Sequence, residues 1–478
     1  MELDSNACFR AVRARDRRFD GHFYVGITST HIYCRPICTA RPANRKNMRF
    51  YSHAAAAEGA GFRPCLRCRP ERAPGTAPVD AVSRLVGAAM AGIEEHALSS
   101  ARVGDLAASL GVSDRHLRRV TESELGVSPI ELAQTQRLLL AKRLLRETSL
   151  HLTDIAFASG FGSVRRFNAL FKSRYGLSPR AIRGKAIDTD TLSVQLEFRP
   201  PLAWKSLLAY LSLRAIPGVE MADDTHYRRT VAIGAAKGWI AVSMHSSGHA
   251  LNLEISPSLT PVIGAVIGRV KHLFDLGAAP DSVRAVLRQD EILAATVKRL
   301  PGLRVAGAFD GFELAVRTVL GQQVSVKGAS TIAGRWAEAF GEPIATPYAQ
   351  LHRLAPTADQ MAAVGAEQIA ALGMVGARAR CLVGLAQAVS QRKIVLAFAS
   401  NVEEQIESLM SLPGIGHWTA NYIAMRALHW PDAFPTGDLV LMRAAGANQK
   451  QLQRRSEAWR PWRAYAAHYL WQSSGVVP

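Results

Sequence analysis

With 478 residues the chain is too long for one hydrophobic core and divides into several domains. Its 48% hydrophobic content suffices to bury those cores and excludes wholesale disorder, and no apolar run of about eighteen residues offers a membrane-spanning helix. The net charge of +19 is front-loaded: 14 basic residues face 6 acidic ones over residues 1–75, and 16 face 10 over 76–185. Such a field favours a polyanionic partner, nucleic acid first and anionic lipid second. The first twenty residues carry early acidic groups and no apolar stretch, so no secretory signal is expected and a cytoplasmic location is the default.

Four of the six cysteines cluster, as Cys34 and Cys38 and then Cys65 and Cys68, with 26 residues between the pairs. Two short-spaced pairs are what a tetrahedral zinc site needs, since each pair spans one edge of the tetrahedron. Taken alone, the pattern fits a purely structural zinc knuckle as well as a reactive one. Arg35, Arg41, Arg45, Lys46 and Arg49 crowd the first pair, which predicts a basic, phosphate-attracting surface around the thiolates, with Arg35 and Arg45 as DNA contacts. A four-thiolate zinc centre holds its sulfurs ionised at neutral pH, so one of them could accept an alkyl group. The segment DGHFYVGITSTHIYCRPICTARPANRKNMRFYSHAAAAEGAGFRPCLRCRP resembles the N-terminal zinc domain of the Ada DNA methyl-transfer proteins. The resemblance implies that Cys34 takes a methyl group from a DNA phosphotriester, a suicidal transfer, with Cys38, Cys65 and Cys68 retained as zinc ligands. The Pro-Cys-His-Arg motif of the second Ada activity does not occur in the chain, so methyl removal from guanine oxygen is not expected. This part is assigned to residues 1–75.

After the loop ERAPGTAPVD, residues 81–184 read as helices and contain an internal repeat. VGDLAASLGVSDRHLRRVTESELGVSP (103–129) matches LTDIAFASGFGSVRRFNALFKSRYGLSP (152–179) with one residue inserted. Each copy has an amphipathic helix, a glycine at the turn (Gly111, Gly160) and a serine N-cap (Ser113, Ser163) opening a second helix. This is helix-turn-helix patterning, with the second helix of each copy meant for the major groove. Arg115, His116, Arg118 and Arg119 populate the first such helix, and Arg165, Arg166 and Asn168 the second. A helical bundle with solvated basic faces is the plainer alternative. The repeat and the connecting helix (130–146) resemble the AraC-type DNA-binding domain. That implies a promoter-binding activator, with RNA polymerase as a further partner; the protein is expected to be a monomer. Methylation of Cys34 would remove one negative charge near DNA and so raise promoter affinity.

Residues 190–300 alternate in short runs (SVQLEFRPP, RRTVAIG, WIAVSMHSSGHALNLEI), which predicts an antiparallel α+β domain, and 301–478 read as helical. The fold class is therefore multidomain and mostly α with α+β parts. The segment LPGIGHWTANYIAMRALHWPDAFPTGDLVLMRA (412–444) carries the chemistry. Gly414 and Gly416 sit in a hairpin turn whose backbone amides can approach a phosphate. Asp438 follows 22 residues after Gly416 at the start of a helix, where it is either a simple N-cap or a carboxylate beside a flipped nucleotide. A carboxylate there can stabilise the positive charge that develops on a sugar when a purine leaves, and can activate water. Trp418 and Tyr422 lie at i and i+4, and Trp459, Trp462, Tyr465, Tyr469 and Trp471 follow. Aromatics can stack on a cationic base, and equally can be core.

The arrangement resembles the helix-hairpin-helix DNA glycosylases, closest to the AlkA branch of 3-methyladenine glycosylases, over residues 190–478. The resemblance implies that Asp438 is catalytic and that Trp418, Tyr422 and Trp471 line the base pocket. It also puts Gln323 where the family inserts an apolar wedge into the duplex. Trp418 stands where lyase members carry a lysine, which implies a monofunctional hydrolase, and no cysteine lies beyond Cys381 to hold an iron–sulfur cluster. The alternative is a DNA-binding transcription regulator whose C-terminal half is a non-catalytic binding module.

Overall fold

The computed structural model describes residues 3–75, 83–96, 103–184 and 191–475. Residues 76–80 of the predicted loop and the expected domain starts at 81 and 190 lie outside them. The chain forms two compact units. The first comprises residues 1–200 with 245–271 and 276–278, and the second comprises 201–244, 272–275 and 279–478.

The first unit opens with helix Ser5–Ala14, capped by Asp4. A four-stranded sheet follows, from β1 (Tyr24–Ile27), β2 (Ile32–Cys34), β3 (Met48–Tyr51) and β4 (Arg63–Pro64), in the order β3-β1-β2-β4. β2 and β4 run parallel, with Tyr33 opposite Pro64. That pairing places the end of β2, where Cys34 sits, beside the chain entering Cys65.

The repeat then appears as two helix pairs, Val103–Ser109 with Asp114–Leu125 and Leu152–Ala158 with Val164–Tyr175. The two copies use the same local devices. Gly111 and Gly160 take positive φ at the turns, Ser113 and Ser163 cap the second helices, and Gly126 and Gly176 end them in the left-handed conformation. The connecting helix runs Pro129–Glu147 and opens with a Ser128/Glu131 capping box. Its Leu139 joins the core of Tyr24, Tyr33, Ala54, Ala57 and Phe62, so the cysteine-bearing segment and the helical repeat share one interior. β5 (Leu192–Glu197) pairs antiparallel with β9 (Ala250–Ile255) in the same unit.

The second unit holds a meander of β6 (Glu220–Ala222), β7 (His226–Ile233) and β8 (Ala236–Met244). Among the described residues the remaining elements of this unit are mainly helices. Helices Gly311–Leu320, Val326–Phe340, Gly376–Ser390 and His417–Arg426 contribute Val316, Val319, Trp336, Leu382, Leu385 and Ile423 to one apolar core. Among the described residues no helix is long and apolar enough to cross a membrane.

Candidate active site and metal centre

Helix Val402–Met410 ends in the turn Ser411–Gly416, and helix His417–Arg426 starts with Gly416 as its N-cap. Gly414 has φ +93, and a Cβ there would meet Cys381 Cβ at 3.1 Å, so both its backbone and its floor demand glycine. Gly416 has no such constraint: an added Cβ would meet nothing within 4 Å. The room kept free at this exposed position lies on the solvent side. Gln322 Nε2 donates to the Gly414 carbonyl and to Thr419 Oγ1, both at 2.9 Å, which ties the hairpin to the loop after helix Gly311–Leu320. The next residue, Gln323, is exposed and held at φ +53, a strained setting for a non-glycine residue.

Asp438 caps helix Leu439–Ala445, its Oδ1 accepting from the backbone N–H of Val440 and Leu441 at 2.9 Å each. The cap is thus real, and it leaves Oδ2 free for other use. Trp418 Nε1 donates to Oδ2 at 2.9 Å, and Trp471 Nε1 approaches Oδ1 at 3.4 Å. Trp418 stacks on Tyr422 with ring centroids 5.3 Å apart and planes 14° apart, and Tyr422 meets Trp471 at 6.0 Å. The four residues singled out from sequence therefore converge. The other late aromatics do not join them: Trp459 donates to Asp290, Tyr465 to Asp275 and Tyr469 to the Leu300 carbonyl, all as buried packing groups.

Three residues of this neighbourhood carried no sequence signal that we read. Tyr210, on helix Trp204–Ser212, places its hydroxyl 2.7 Å from that of Tyr422. Arg426, one turn after Tyr422, donates to the Tyr422 hydroxyl at 3.2 Å and to the carbonyls of Ala306 and Gly307. His468 packs its ring against Tyr210 and Trp471. The i,i+4 spacing of Tyr422 and Arg426 could have revealed the second of these.

In the first unit the four sulfurs of Cys34, Cys38, Cys65 and Cys68 lie within 4.8 Å of one another. Zinc–sulfur bonds of about 2.3 Å put tetrahedral neighbours about 3.8 Å apart, so the set fits a zinc ion. Backbone N–H groups donate to three of the sulfurs, Arg67 to Cys65 at 3.4 Å, Arg35 to Cys68 at 3.3 Å and Ala40 to Cys38. Among the described residues no backbone N–H donates to Cys34.

The expected role of Arg35 in a DNA-facing surface is corrected here. Its side chain is 1% exposed, pairs with Asp20 and with Glu197 at 2.6 Å, and donates to the Cys68 carbonyl at 3.0 Å. Two carboxylates that converge from distant segments neutralise it, and it braces the centre from within. Arg45 is half-buried, its guanidinium over the rings of Phe9 and Phe50 at 5.4 and 5.2 Å. Arg41, Lys46 and Arg49 are the exposed basic groups.

The centre is also tied to the connecting helix. Lys142 donates to the Cys65 carbonyl at 3.0 Å and to Glu71 at 2.6 Å, and Arg69, next to Cys68, pairs with Glu147 at 2.6 Å. Burial raises the Glu71 carboxyl, but Lys142 and Arg69 outweigh it and hold it down at about 2. Glu58 accepts from Tyr33, Thr135 and Tyr175, and burial outweighs these hydrogen bonds and the attraction of Arg174 to push it up to about 7. On the helical repeat, Arg115, Arg118, Arg119, Arg165 and Arg166 are exposed and Asn168 is half-buried, while Leu117 and Phe167 point inward.

Comparison with known proteins assigns each segment. Family models match at residues 7–71 (metal binding domain of Ada), 106–185 (helix-turn-helix domain), 193–310 (AlkA N-terminal domain) and 316–459 (HhH-GPD superfamily base excision DNA repair protein). A Mycobacterium tuberculosis protein described as a probable bifunctional transcriptional activator/DNA repair enzyme AlkA is 37% identical, over 98% of this chain and 97% of its own length. DNA-3-methyladenine glycosylase 2 of Escherichia coli is 34% identical over 59% of this chain and 98% of its own. The fold is shared with a 3-methyladenine DNA-glycosylase from Archaeoglobus fulgidus, with a TM-score of 0.51 at 19% identity, over 59% of this chain and 98% of that one.

Proposed function

The chain belongs to the family of bifunctional transcriptional activator/DNA repair enzymes, and on that footing we propose that it hydrolyses the N-glycosidic bond of alkylated purines in double-stranded DNA, 3-methyladenine among them. One observation carries this reading: the Asp438 carboxylate is oriented by two backbone amides and flanked by the indole N–H groups of Trp418 and Trp471. The bond between C1′ and the base nitrogen breaks with the electron pair leaving on the base. Asp438 stabilises the positive charge left on the sugar and takes a proton from the water whose oxygen adds to C1′. An alkylated purine is already cationic, so it leaves readily and gains from stacking on Trp418, Tyr422 and Trp471. Amides around Gly414 and Gly416 take a phosphate, and Gln323 enters the duplex where the base has flipped out. With Trp418 in place of a lysine, the product is an abasic strand and not a cleaved one.

The first unit is the regulatory and phosphotriester-repair half of this reading. Zinc bound by the four cysteines keeps their thiolates ionised. The Cys34 sulfur attacks the methyl carbon of a methylphosphotriester. The sulfur–carbon bond forms, the carbon–oxygen bond breaks, and the phosphodiester departs with the electron pair. Cys34 suits this role because no amide draws charge from its sulfur. The recognition helices Asp114–Leu125 and Val164–Tyr175 read a promoter, and as an activator the protein, acting as a monomer in the cytoplasm, recruits RNA polymerase. The test is direct: purified protein incubated with a methylpurine-containing duplex should generate alkali-labile abasic sites, and their absence would sink the reading in favour of a binding module.

A further inference from the structure

Resting on the glycosylase reading, we propose that Tyr210 and Arg426 are positioning residues for base excision: they pin the Tyr422 hydroxyl from two sides, and the pinned ring holds Trp418 against Asp438 before any DNA is bound.

The three aromatic groups of the proposed base site are not held alike. The indole N–H groups of Trp418 and Trp471 both turn to Asp438. The Tyr422 hydroxyl instead meets two buried groups, with the hydroxyl of Tyr210 2.7 Å away and Arg426 Nη1 donating at 3.2 Å. A phenol held at Cβ and again at the far end of its axis cannot tilt without breaking those bonds. The bond between the two hydroxyls works with either as donor, so it asks for no charge on either ring.

Both pins are themselves fixed. Arg426 Nε and Nη2 donate to the carbonyls of Ala306 and Gly307 at 2.8 and 2.9 Å, which clamps the planar guanidinium and directs Nη1 at the phenol. Arg426 stands one turn after Tyr422 on the same helix, His417–Arg426. Tyr210 comes from another segment, helix Trp204–Ser212, and so ties Tyr422 to a second element. The Tyr210 ring is held by the Arg214 guanidinium, 3.9 Å from its centroid, and by the His468 ring at 5.1 Å.

From Tyr422 the constraint passes to the carboxylate. Its ring lies 5.3 Å from that of Trp418 with planes 14° apart, and the same indole donates to Asp438 Oδ2 at 2.9 Å. A tilt of Tyr422 would open the stack and draw the indole N–H off the carboxylate. Tyr210 and Arg426 therefore act on the rate of base release more than on affinity for the lesion.

The experiment uses the full chain and two readouts. The first needs no substrate: the Trp418 indole N–H resonance, assigned with Trp418→Phe, and its exchange with deuterium. Tyr210→Phe keeps the ring and its packing, and should speed that exchange roughly two- to tenfold, the worth of one hydrogen bond. The second is single-turnover base release from a methylpurine duplex over a range of protein concentrations. Tyr210→Phe should lower the maximal rate roughly two- to tenfold and leave the half-saturating concentration within about twofold. Arg426→Lys, which keeps the charge but not the planar fork, should act in the same way on both readouts. Tyr422→Phe removes the pinned atom, so in that background Tyr210→Phe should cost nothing further. An equal cost of Tyr210→Phe with and without the Tyr422 hydroxyl would overturn the proposal, and so would wild-type exchange and rate in either single variant. A chain that shows the expected exchange pattern but releases no base from methylpurine DNA would support the pinned ring and count against the glycosylase reading instead.

Discussion

The indole N–H of Trp418 donates to Oδ2 of Asp438 at 2.9 Å, so a wall of the proposed base pocket also orients the carboxylate. Two substitutions separate those roles. Trp418→Phe keeps a ring but loses the donor, and should slow base release in single turnover with little change in lesion binding. Trp418→Ala should also lose selection for cationic bases, by about 1–3 kcal/mol for the missing stack. Equal binding losses in the two variants would contradict this division.

The cysteine centre predicts about one zinc per chain. Cys65→Ser with Cys68→Ser should abolish it, as metal analysis would report. Incubation with methylphosphotriester DNA should add a single methyl group to Cys34 in a peptide mass map. A methyl on Cys38 would show that amide donation to the other sulfurs does not decide which one reacts.

Arginines on the recognition helices and Arg35 should behave differently. Arg165→Ala and Arg166→Ala remove exposed charges and should each reduce the slope of log affinity against log salt by about one where they meet phosphate. Arg35→Ala leaves Asp20 and Glu197 facing each other in the interior. It should therefore lower the melting temperature of the first unit, and a change in salt slope at unchanged stability would contradict its buried role.

Glu58 gives a pH signature. Its folded value near 7 lies above the ordinary 4.5, so the folded state keeps a proton that the unfolded chain loses. Stability from this group is complete below about 4.5 and declines as pH rises to about 7. Glu58→Gln keeps an acceptor for Tyr33 and Tyr175 and a donor for Thr135, with no proton to lose. The variant should match wild type at about pH 4.5 and exceed it at about pH 8, by up to about 3 kcal/mol in chemical denaturation. A variant less stable at both values would contradict the assignment.

What was legible in the sequence is what local rules control. The cysteine pairs announce themselves by spacing, and β2 and β4 bring the pairs together. The repeat declares its turns through Gly111 and Gly160 and its helix starts through Ser113 and Ser163, all short-range devices. Trp418 and Tyr422 share a helix face because of i,i+4 periodicity. Long-range pairing was hidden. Arg35 read as a surface charge because its partner Glu197 is 162 residues away. Tyr210 carried no signal because Tyr422 is 212 residues away. Asp438 shows a third case: the cap and the pocket carboxylate, which sequence presents as alternatives, are two oxygens of one side chain.

The central claim is that this carboxylate performs the hydrolysis, and Asp438→Asn tests it most directly. An amide can still cap helix Leu439–Ala445 through its oxygen, so the fold should survive. It can neither neutralise the charge developing on the sugar nor take a proton from water. The measurement is single-turnover base release from a methylpurine duplex by wild type and variant, alongside their affinities for the same DNA. The account predicts a loss of at least about 10²–10³ in rate, with lesion binding kept or tightened because a negative charge near phosphate is gone. Release at the wild-type rate would contradict it and leave Asp438 a helix cap alone.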